Sequence, residues 1–141
     1  MLNFCSLYSG SSGNSLFVET ENTKVLVDVG LSCKKIEEAL STIEKDPSSI
    51  DAILITHEHY DHVGGLDDLR PFCRFGEVPI YAEAYTAERL RNRMPYCFVN
   101  HNYPGVPNIP LQEIEPGRTF RINRTSVTPL RVMHGRLPLL G

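Results

Sequence analysis

The feature that most constrains the fold of this chain is a dense group of histidines and acids directly after a short apolar run. Ala52-Ile53-Leu54-Ile55 is followed, after Thr56, by His57-Glu58-His59-Tyr60-Asp61-His62. A continuous run of aliphatic residues predicts a strand that is covered on both faces. Any fold that contains this segment must place three imidazoles and a carboxylate near the end of a buried strand.

This group of side chains indicates a metal site. Imidazole and carboxylate are ligands that a borderline divalent ion such as Zn²⁺ prefers. In a chain of this composition the pattern H-x-H-x-D-H arises by chance on the order of a few times in ten thousand. Alternation along the strand points His57 and His59 the same way, whereas Asp61 and His62 lie beyond it and can turn towards a second ion. We therefore expect up to two ions, Zn²⁺ or Mn²⁺, with a metal-bound hydroxide as nucleophile.

Two residues elsewhere in the chain are candidates for the same site. His134 follows a predicted strand and precedes Gly135, where backbone can approach closely, so we expect it to be the third ligand beside His57 and His59. Its alternative is an ordinary loop histidine. Asp28 ends an apolar run, and we expect it to orient a ligating imidazole and fix its tautomer. Its weaker alternative is a cap for the helix that begins near Ser32.

Three further features carry weaker expectations. Arg136 has a guanidinium that suits phosphate geometry, which predicts a contact with the phosphate of the substrate; the alternative is an ordinary surface arginine. The loop of small residues from Ser9 to Asn14 either cradles a phosphate or is only a turn. His101 has no ligand-like spacing and is interpreted as a loop residue.

The rest of the chain alternates between strand-like and helix-like segments. Strands are predicted at Leu2–Tyr8, Ser15–Glu19, Val25–Val27, Ala52–Ile55, Val78–Ala82, Gln112–Glu115, Arg118–Ile122 and Val127–Met133. Helices are predicted from an N-cap at Ser32 to a stop at Asp46-Pro47, from Gly64 to Arg70, and from an N-cap at Thr86 to Arg93; a loop is predicted from Asn102 to Pro110. Hairpins combined with strand–helix alternation predict an α/β (α+β) domain in which mixed sheets carry helices outside, as in an αββα sandwich.

Composition narrows the class of protein. With 141 residues, 41% hydrophobic and 22% charged, residues 1–141 are expected to form one globular domain. No apolar run reaches the roughly 20 residues of a membrane helix, and the first residues lack signal-peptide features, so we expect a cytoplasmic protein with no membrane partner. The four cysteines form no C-x-x-C pair, which favours reduced thiols.

The motifs together resemble those of the metallo-β-lactamase superfamily: Asp28-Val29-Gly30, the His57 to His62 segment, and His134-Gly135. The resemblance implies an αββα fold, with His57, His59 and His134 on one metal and Asp61 and His62 on the other. The opening, Ser9 to Ser15 and Leu26 to Ser32, is similar to the YycJ-like branch, associated with DNA exonuclease activity. From about Gly65 onward the chain is similar to the PhnP-like branch of phosphoribosyl cyclic phosphate phosphodiesterases. One interpretation of this double resemblance is a recombinant of the two branches.

The resemblance also predicts a departure from the family. The family places a bridging aspartate and a later histidine after the segment that corresponds to His134-Gly135, and this chain stops at Gly141. We therefore expect a C-terminally truncated fold with an incomplete second metal site. A sheet edge left exposed by the truncation would favour self-association into a homodimer.

The leading functional expectation is a metal-dependent phosphodiesterase that acts on a cyclic phosphate or a nucleic acid, in which Asp61 also orients the nucleophile. The sequence does not show the general acid. A first alternative keeps the superfamily and changes the substrate to a thioester, lactone or β-lactam. A second alternative is a non-catalytic metal-binding fragment.

Overall fold

A computed structural model describes residues 1–69, 78–98 and 109–141. Ten strands lie in this part of the chain: β1 Asn3–Tyr8, β2 Ser15–Glu19, β3 Lys24–Val27, β4 Ala52–Leu54, β5 Ile80–Glu83, β6 Leu111–Ile114, β7 Phe120–Ile122, β8 Thr125–Val127, β9 Arg131–His134 and β10 Leu137–Leu140. The α-helices are α1 Cys33–Thr42, α2 Tyr60–Val63, α3 Ala84–Arg93 and α4 Pro95–Phe98, with 3₁₀ turns at Pro47–Ser49 and Leu66–Asp68.

Strands β1 to β6 form one mixed sheet in sequence order. The first three strands are an antiparallel meander, and β3, β4, β5 and β6 then pair in parallel. Parallel neighbours share one carboxyl edge, so the residues that follow β3 and β4 are brought together there. Those residues are Asp28 and the segment from Thr56 to His62.

Helices cover one face of this sheet. Leu26, Ile53 and Ile80 lie side by side in register and are fully buried on this face. Ile36 and Leu40, four residues apart on α1, join the same cluster, as do buried residues of α2, α3 and α4. The apolar face of α1 therefore packs against the apolar face of the sheet, and both are removed from water.

The other face of the sheet carries a second β layer. Val25 and Ala52 alternate onto this face and pack against Ile122 of the β7–β8 hairpin. The β9–β10 hairpin joins the end of β4, where Leu140 N–H donates to the Thr56 carbonyl at 3.3 Å. Helices on one side and hairpins on the other confirm the expected α/β class.

Several predicted boundaries differ from the structure. Val127–Met133 is not one strand: the chain leaves β8 at Val127 and re-enters β9 at Arg131, since Pro129 lacks the N–H that a continuous ladder needs. Thr86 is not an N-cap but lies buried inside α3, which begins at Ala84. Ser32 occupies the N-cap position of α1, yet its side chain makes no capping hydrogen bond.

The segment after the histidine cluster was also predicted incorrectly. No α-helix begins at Gly64: α2 ends at Val63, and the described residues that follow it form a separate 3₁₀ turn at Leu66–Asp68. Arg70, Cys73, His101 and most of the predicted loop from Asn102 to Pro110 lie outside the described residues. None of the described helices combines the length and apolarity that crossing a membrane requires.

Candidate metal centre

The predicted ligands meet at one cavity of about 570 Å³ at the carboxyl edge of the sheet. The residues of its wall that bear on metal binding are His57, His59, Asp61, His62, His134, Asp28, Thr56 and Asn14. Five of them come from the segment between Thr56 and His62 that follows β4, and His134 comes from β9, more than 70 residues later. The topology therefore assembles a single group of donors from distant parts of the chain.

The imidazoles surround His57. Its ring centroid lies 4.0 Å from that of His62, 4.6 Å from that of His59 and 6.4 Å from that of His134. His57 is buried, His62 is half-buried, and His59 and His134 are exposed. Within residues 1–69, 78–98 and 109–141, no three His, Cys, Asp or Glu side chains are close enough together to hold an ion as they stand.

Asp28 holds one side of this group. Only 5% of Asp28 is exposed, and its carboxylate accepts hydrogen bonds from Thr56 N–H at 2.9 Å and the Thr56 hydroxyl at 2.7 Å. Its Oδ2 also lies 2.6 Å from His62 Nδ1. Because an ionised carboxylate only accepts, His62 carries a proton on Nδ1, and in the neutral ring the lone pair is on Nε2.

The Thr56 hydroxyl sets the tautomer of His57. The Thr56 hydroxyl has one proton, which it donates to Asp28, so it must act as acceptor for His57 Nδ1 at 2.9 Å. The neutral His57 ring therefore also has its lone pair on Nε2. One buried carboxylate thus sets the tautomer of two imidazoles, one directly and one through a hydroxyl.

Burial and hydrogen bonding shift the two imidazoles in opposite directions. Burial lowers the pKa of His57, and the neighbouring His62 lowers it further. The hydrogen bond to Asp28 raises the pKa of His62, against the effect of burial. His57 is consequently the more readily neutral ring, and the neutral ring is the form that binds a metal.

The backbone around Asp28 is bent to make these contacts. Asp28 has φ +64°, a left-handed conformation that residues with a side chain seldom adopt. Its N–H donates to the Leu54 carbonyl at 2.8 Å, and Val29 N–H donates to the His62 carbonyl at 2.8 Å. The bend therefore carries the chain from the end of β3 across the end of β4, which is where the carboxylate is needed.

Gly30 allows the two loops to touch. A Cβ atom on Gly30 would lie 1.8 Å from the Asp61 carbonyl oxygen, which is backbone and cannot swing away. Gly65 is similarly close to the Leu31 carbonyl oxygen, at 1.9 Å. Glycine at these positions is a requirement of backbone packing beside the cluster.

The sequence did not indicate three residues that contact the site or the segment that carries it. Thr56 and Asn14 bond directly to predicted site residues, and Arg93 of α3 donates to the Glu58 carbonyl at 2.9 Å. The position of Thr56 next to His57 was a usable signal, since a hydroxyl beside a ligand can reach its ring. The chain contains no local pattern that joins Arg93 to Glu58, because they are 35 residues apart.

Other predicted features are placed differently. Arg136 lies exposed in the turn between β9 and β10 and is not part of the cavity wall, so its substrate contact stays a prediction. In the loop from Ser9 to Asn14, the Gly10 and Asn14 N–H groups are already bonded within the protein. Those two amides are therefore not available to cradle a phosphate.

Comparison with known proteins decides the family. A family model described as "Beta-lactamase superfamily domain" matches residues 23–140. This chain belongs to the metallo-β-lactamase superfamily. Members of the superfamily bind divalent metal ions, and the four imidazoles and Asp61 beside one cavity are chemically suited to them.

Individual relatives are similar over parts of their length. The chain is 48% identical over 86 residues to "Exodeoxyribonuclease WalJ" of Streptococcus pneumoniae, covering 61% of this chain and 31% of that protein. It is 50% identical over 93 residues to "Octanoyltransferase" of Porphyromonas gingivalis, covering 66% of this chain but 19% of that protein. The chain thus spans between about a fifth and a third of these relatives.

Solved structures are similar over nearly the whole chain. "Crystal Structure of a New Diphosphatase from the PhnP Family" is superposable with TM-score 0.76 at 26% identity, over 100% of this chain and 62% of that one. Similarity to both an exodeoxyribonuclease and a PhnP-family protein confirms the two resemblances noted in the sequence. The structural match also confirms the superfamily fold.

Proposed function

We propose that this chain is the metal-binding portion of a cytoplasmic metal-dependent phosphodiesterase. The observation that carries the proposal is the network from Asp28 through Thr56 to His57, with its second arm to His62. This network leaves the Nε2 lone pair of each neutral ring for a metal ion, and His62 Nε2 lies 3.4 Å from Asp61 Oδ2. Similarity to an exodeoxyribonuclease and to a PhnP-family diphosphatase supports a phosphorus-containing substrate.

The residues divide into two groups around the cavity. His57, His59 and His134 would hold one ion, Zn²⁺ or Mn²⁺, and Asp61 with His62 would contribute to a second. A divalent ion bound there supplies Lewis acidity, which makes water a nucleophile at neutral pH and offsets charge on phosphoryl oxygens. Asp28 acts on the rings from behind, because its contacts keep Nδ1 protonated and leave Nε2 as the donor atom.

The lining of the cavity is consistent with recognition of an anion through ions. Among the residues that the structure describes, no Lys or Arg belongs to the cavity wall. Charge on a bound phosphodiester would then be offset mainly by the metal ions. Asp61, half-exposed in the wall, would in addition accept a hydrogen bond from the attacking water and orient it.

The substrate within the phosphodiester class is proposed to be either a small cyclic phosphate or a nucleic acid. The cavity is open to solvent along the exposed side chains of His59 and His134, which admits both. A homodimer, expected from the sequence, also stays a prediction. Hydrolysis of a thioester, lactone or β-lactam is the competing activity, because the superfamily fold by itself does not select the substrate.

The test combines metal analysis with a substrate panel. We expect the purified chain loaded with Zn²⁺ or Mn²⁺ to hydrolyse bis-p-nitrophenyl phosphate, and a version extended at its C-terminus to do so faster. A chromogenic β-lactam and a thioester serve as competing substrates in the same assay. Turnover of either one without turnover of the phosphodiester would overturn the substrate assignment, and bound metal without any turnover by the extended version would favour a non-catalytic role.

A further inference from the structure

Asn14 joins three segments at the edge of the candidate metal centre. It ends the loop between β1 and β2, is half-buried, and belongs to the cavity wall. Its backbone N–H donates to the Asp61 carbonyl at 2.8 Å, and its own carbonyl accepts from Gly30 N–H at 2.9 Å. The backbone of Asn14 is therefore held in place independently of its side-chain contacts.

The side-chain amide of Asn14 has two separate sets of partners. Towards its own loop, Oδ1 accepts from Gly10 N–H at 3.1 Å and Nδ2 donates to the Gly10 carbonyl at 2.9 Å. Towards the cavity, Nδ2 lies 3.2 Å from Asp61 Oδ2 and 3.3 Å from the Asp61 carbonyl. An amide has two N–H donors, so one closes the loop and the other is available to Asp61.

The second N–H of the Asn14 amide lies where it can restrain the orientation of the Asp61 carboxylate. Asp61 Oδ2 lies 3.4 Å from His62 Nε2, and Asn14 Nδ2 lies 3.4 Å from the same nitrogen. The Asp61 side chain is 32% exposed, so its rotamer is not fixed by burial alone. A hydrogen bond to an ionised carboxylate is among the stronger ones, which makes Asn14 an effective restraint.

We propose that Asn14 is a positioning residue for Asp61: its amide holds the Asp61 carboxylate beside His62 Nε2, in the orientation from which both groups face one bound ion. The value of this orientation rests on the proposed function, whereas the restraint itself is a property of the metal-free chain. A purely structural Asn14 would close the loop at Gly10 and leave Asp61 unaffected.

The first measurement is made without metal. Three-bond couplings of Asp61, measured by NMR on chelator-treated protein, report the rotamer populations about χ1. We expect one dominant rotamer in the wild type and in the control Asn22→Ala, which changes an exposed asparagine in the β2–β3 turn, and several rotamers in Asn14→Ala. If Asp61 keeps its single rotamer in Asn14→Ala, the proposal is wrong.

The variant Asn14→Asp provides a second test in case Asn14→Ala does not fold. This variant keeps an oxygen that can accept from Gly10 N–H but has no N–H to donate to Asp61. We expect it to release or reorient Asp61 as well, at a melting temperature closer to that of the wild type than Asn14→Ala. An unchanged Asp61 rotamer in a folded Asn14→Asp would overturn the proposal by itself.

The second measurement asks whether Asn14 acts through Asp61. We expect Asn14→Ala to weaken apparent Co²⁺ affinity by about tenfold in the wild-type background and by little in an Asp61→Ala background. Equal losses in both backgrounds would assign Asn14 a structural role only. If the wild type binds no Co²⁺, the proposed function fails, and the NMR result alone decides whether Asn14 restrains Asp61.

Discussion

The two sides of the candidate metal centre are built differently. The segment from His57 to His62 is braced by Asp28, Thr56 and Asn14, and its backbone packs against Gly30 so closely that no side chain fits there. The β9–β10 hairpin brings His134 to the same cavity from the exposed strand β9. The hairpin is held by the hydrogen bond from Leu140 N–H to the Thr56 carbonyl and by an Arg131–Glu83 ion pair.

This difference separates what the fold sets from what an ion must complete. Buried strand ends fix the His57 side of the cavity through hydrogen bonds that exist without metal. His134 is exposed, and its ring centroid is the farthest of the three from that of His57. We infer that the first side is preorganised and that metal binding draws the second side into place.

The largest effect is expected from removing the central ring. His57→Ala should abolish stoichiometric metal binding and reduce phosphodiester hydrolysis by more than about 100-fold, beyond the loss typical of residues that only support a ligand. Metal content by plasma mass spectrometry and turnover of bis-p-nitrophenyl phosphate are the measurements. His101→Ala is the control and should change neither, because the sequence around His101 has no ligand-like spacing; retention of metal by His57→Ala would contradict the account.

The next effect tests the brace behind the rings. Asp28→Asn replaces one carboxylate oxygen by an NH₂ group, so at least one of the donors on Thr56 and His62 loses its acceptor. Metal affinity should therefore fall about 10- to 100-fold, and the free energy of unfolding should fall by about 1.5–3 kcal/mol. Asp51→Asn is a matched control, since Asp51 Oδ2 accepts from Lys24 N–H at 2.7 Å at the other end of β3. The control should lower stability with little change in zinc titration; equal losses of affinity in both variants would show that Asp28 has no special role.

The difference between the two sides of the candidate metal centre predicts an asymmetry in amide hydrogen exchange. On addition of Zn²⁺, amides of residues 131–140 should gain protection by roughly tenfold or more, whereas amides of residues 52–57 should change by less than about threefold. His134→Ala should remove most of the gain in the hairpin while leaving the buried strand as it was. Equal gains on both sides would show that neither side is preorganised.

The sequence alone predicted which residues lie on each side of the candidate metal centre. The ligand-rich segment after Ala52–Ile55 is local, so type and spacing alone indicated its chemistry. His134 and Asp28 were linked to it through their positions after predicted strands, and the structure brings both to the cavity. Their roles towards an ion stay predictions.

Other features depend on contacts that no local pattern encodes. Asn14 meets Asp61 across 47 positions, and Arg93 meets Glu58 across 35, through packing of separate elements. Thr86 was a plausible cap by residue type, but burial against the sheet placed it inside α3. The prediction of one strand over Val127–Met133 was wrong. The apolar residues of this segment favoured a strand, but Pro129 lacks the N–H donor that a continuous strand needs.

A smaller effect is expected in the order of titration. In the metal-free protein His62 should titrate at higher pH than His57, because the Asp28 hydrogen bond raises one pKa and burial lowers the other from the ordinary value of 6.5. The stability contributed by His62 is therefore present below pH 6.5 and lost as pH rises through its raised pKa. The contribution of His57 is present above pH 6.5 and lost as pH falls through its lowered pKa.

Imidazole carbon–proton NMR spectra across the pH range give both titration curves. Asp28→Asn should bring the His62 curve down towards that of His57, while Asp51→Asn should leave both in place. The reverse order in the wild type would mean that the hydrogen bond between Asp28 and His62 does not exist in solution.

The smallest effect is expected at the turn of the hairpin. Arg136 is exposed and outside the cavity wall, so Arg136→Ala should raise KM by no more than about fivefold, with kcat and metal content unchanged, as for a solvent-screened charge. Steady-state kinetics at two ionic strengths measure this effect. A loss of kcat would place Arg136 in the reaction itself and would show that the hairpin closes further over the cavity than its present contacts indicate.

The most direct test of the central claim is a crystal structure of the Zn²⁺-loaded chain with anomalous data collected at the zinc edge. We expect zinc to contact His57 and His59, with His57 binding through Nε2 and Thr56 remaining between His57 Nδ1 and Asp28. Zinc bound to His57 through Nδ1, with the bond to Thr56 broken, or zinc bound away from this cavity, would contradict the claim that Asp28 presets these rings for an ion.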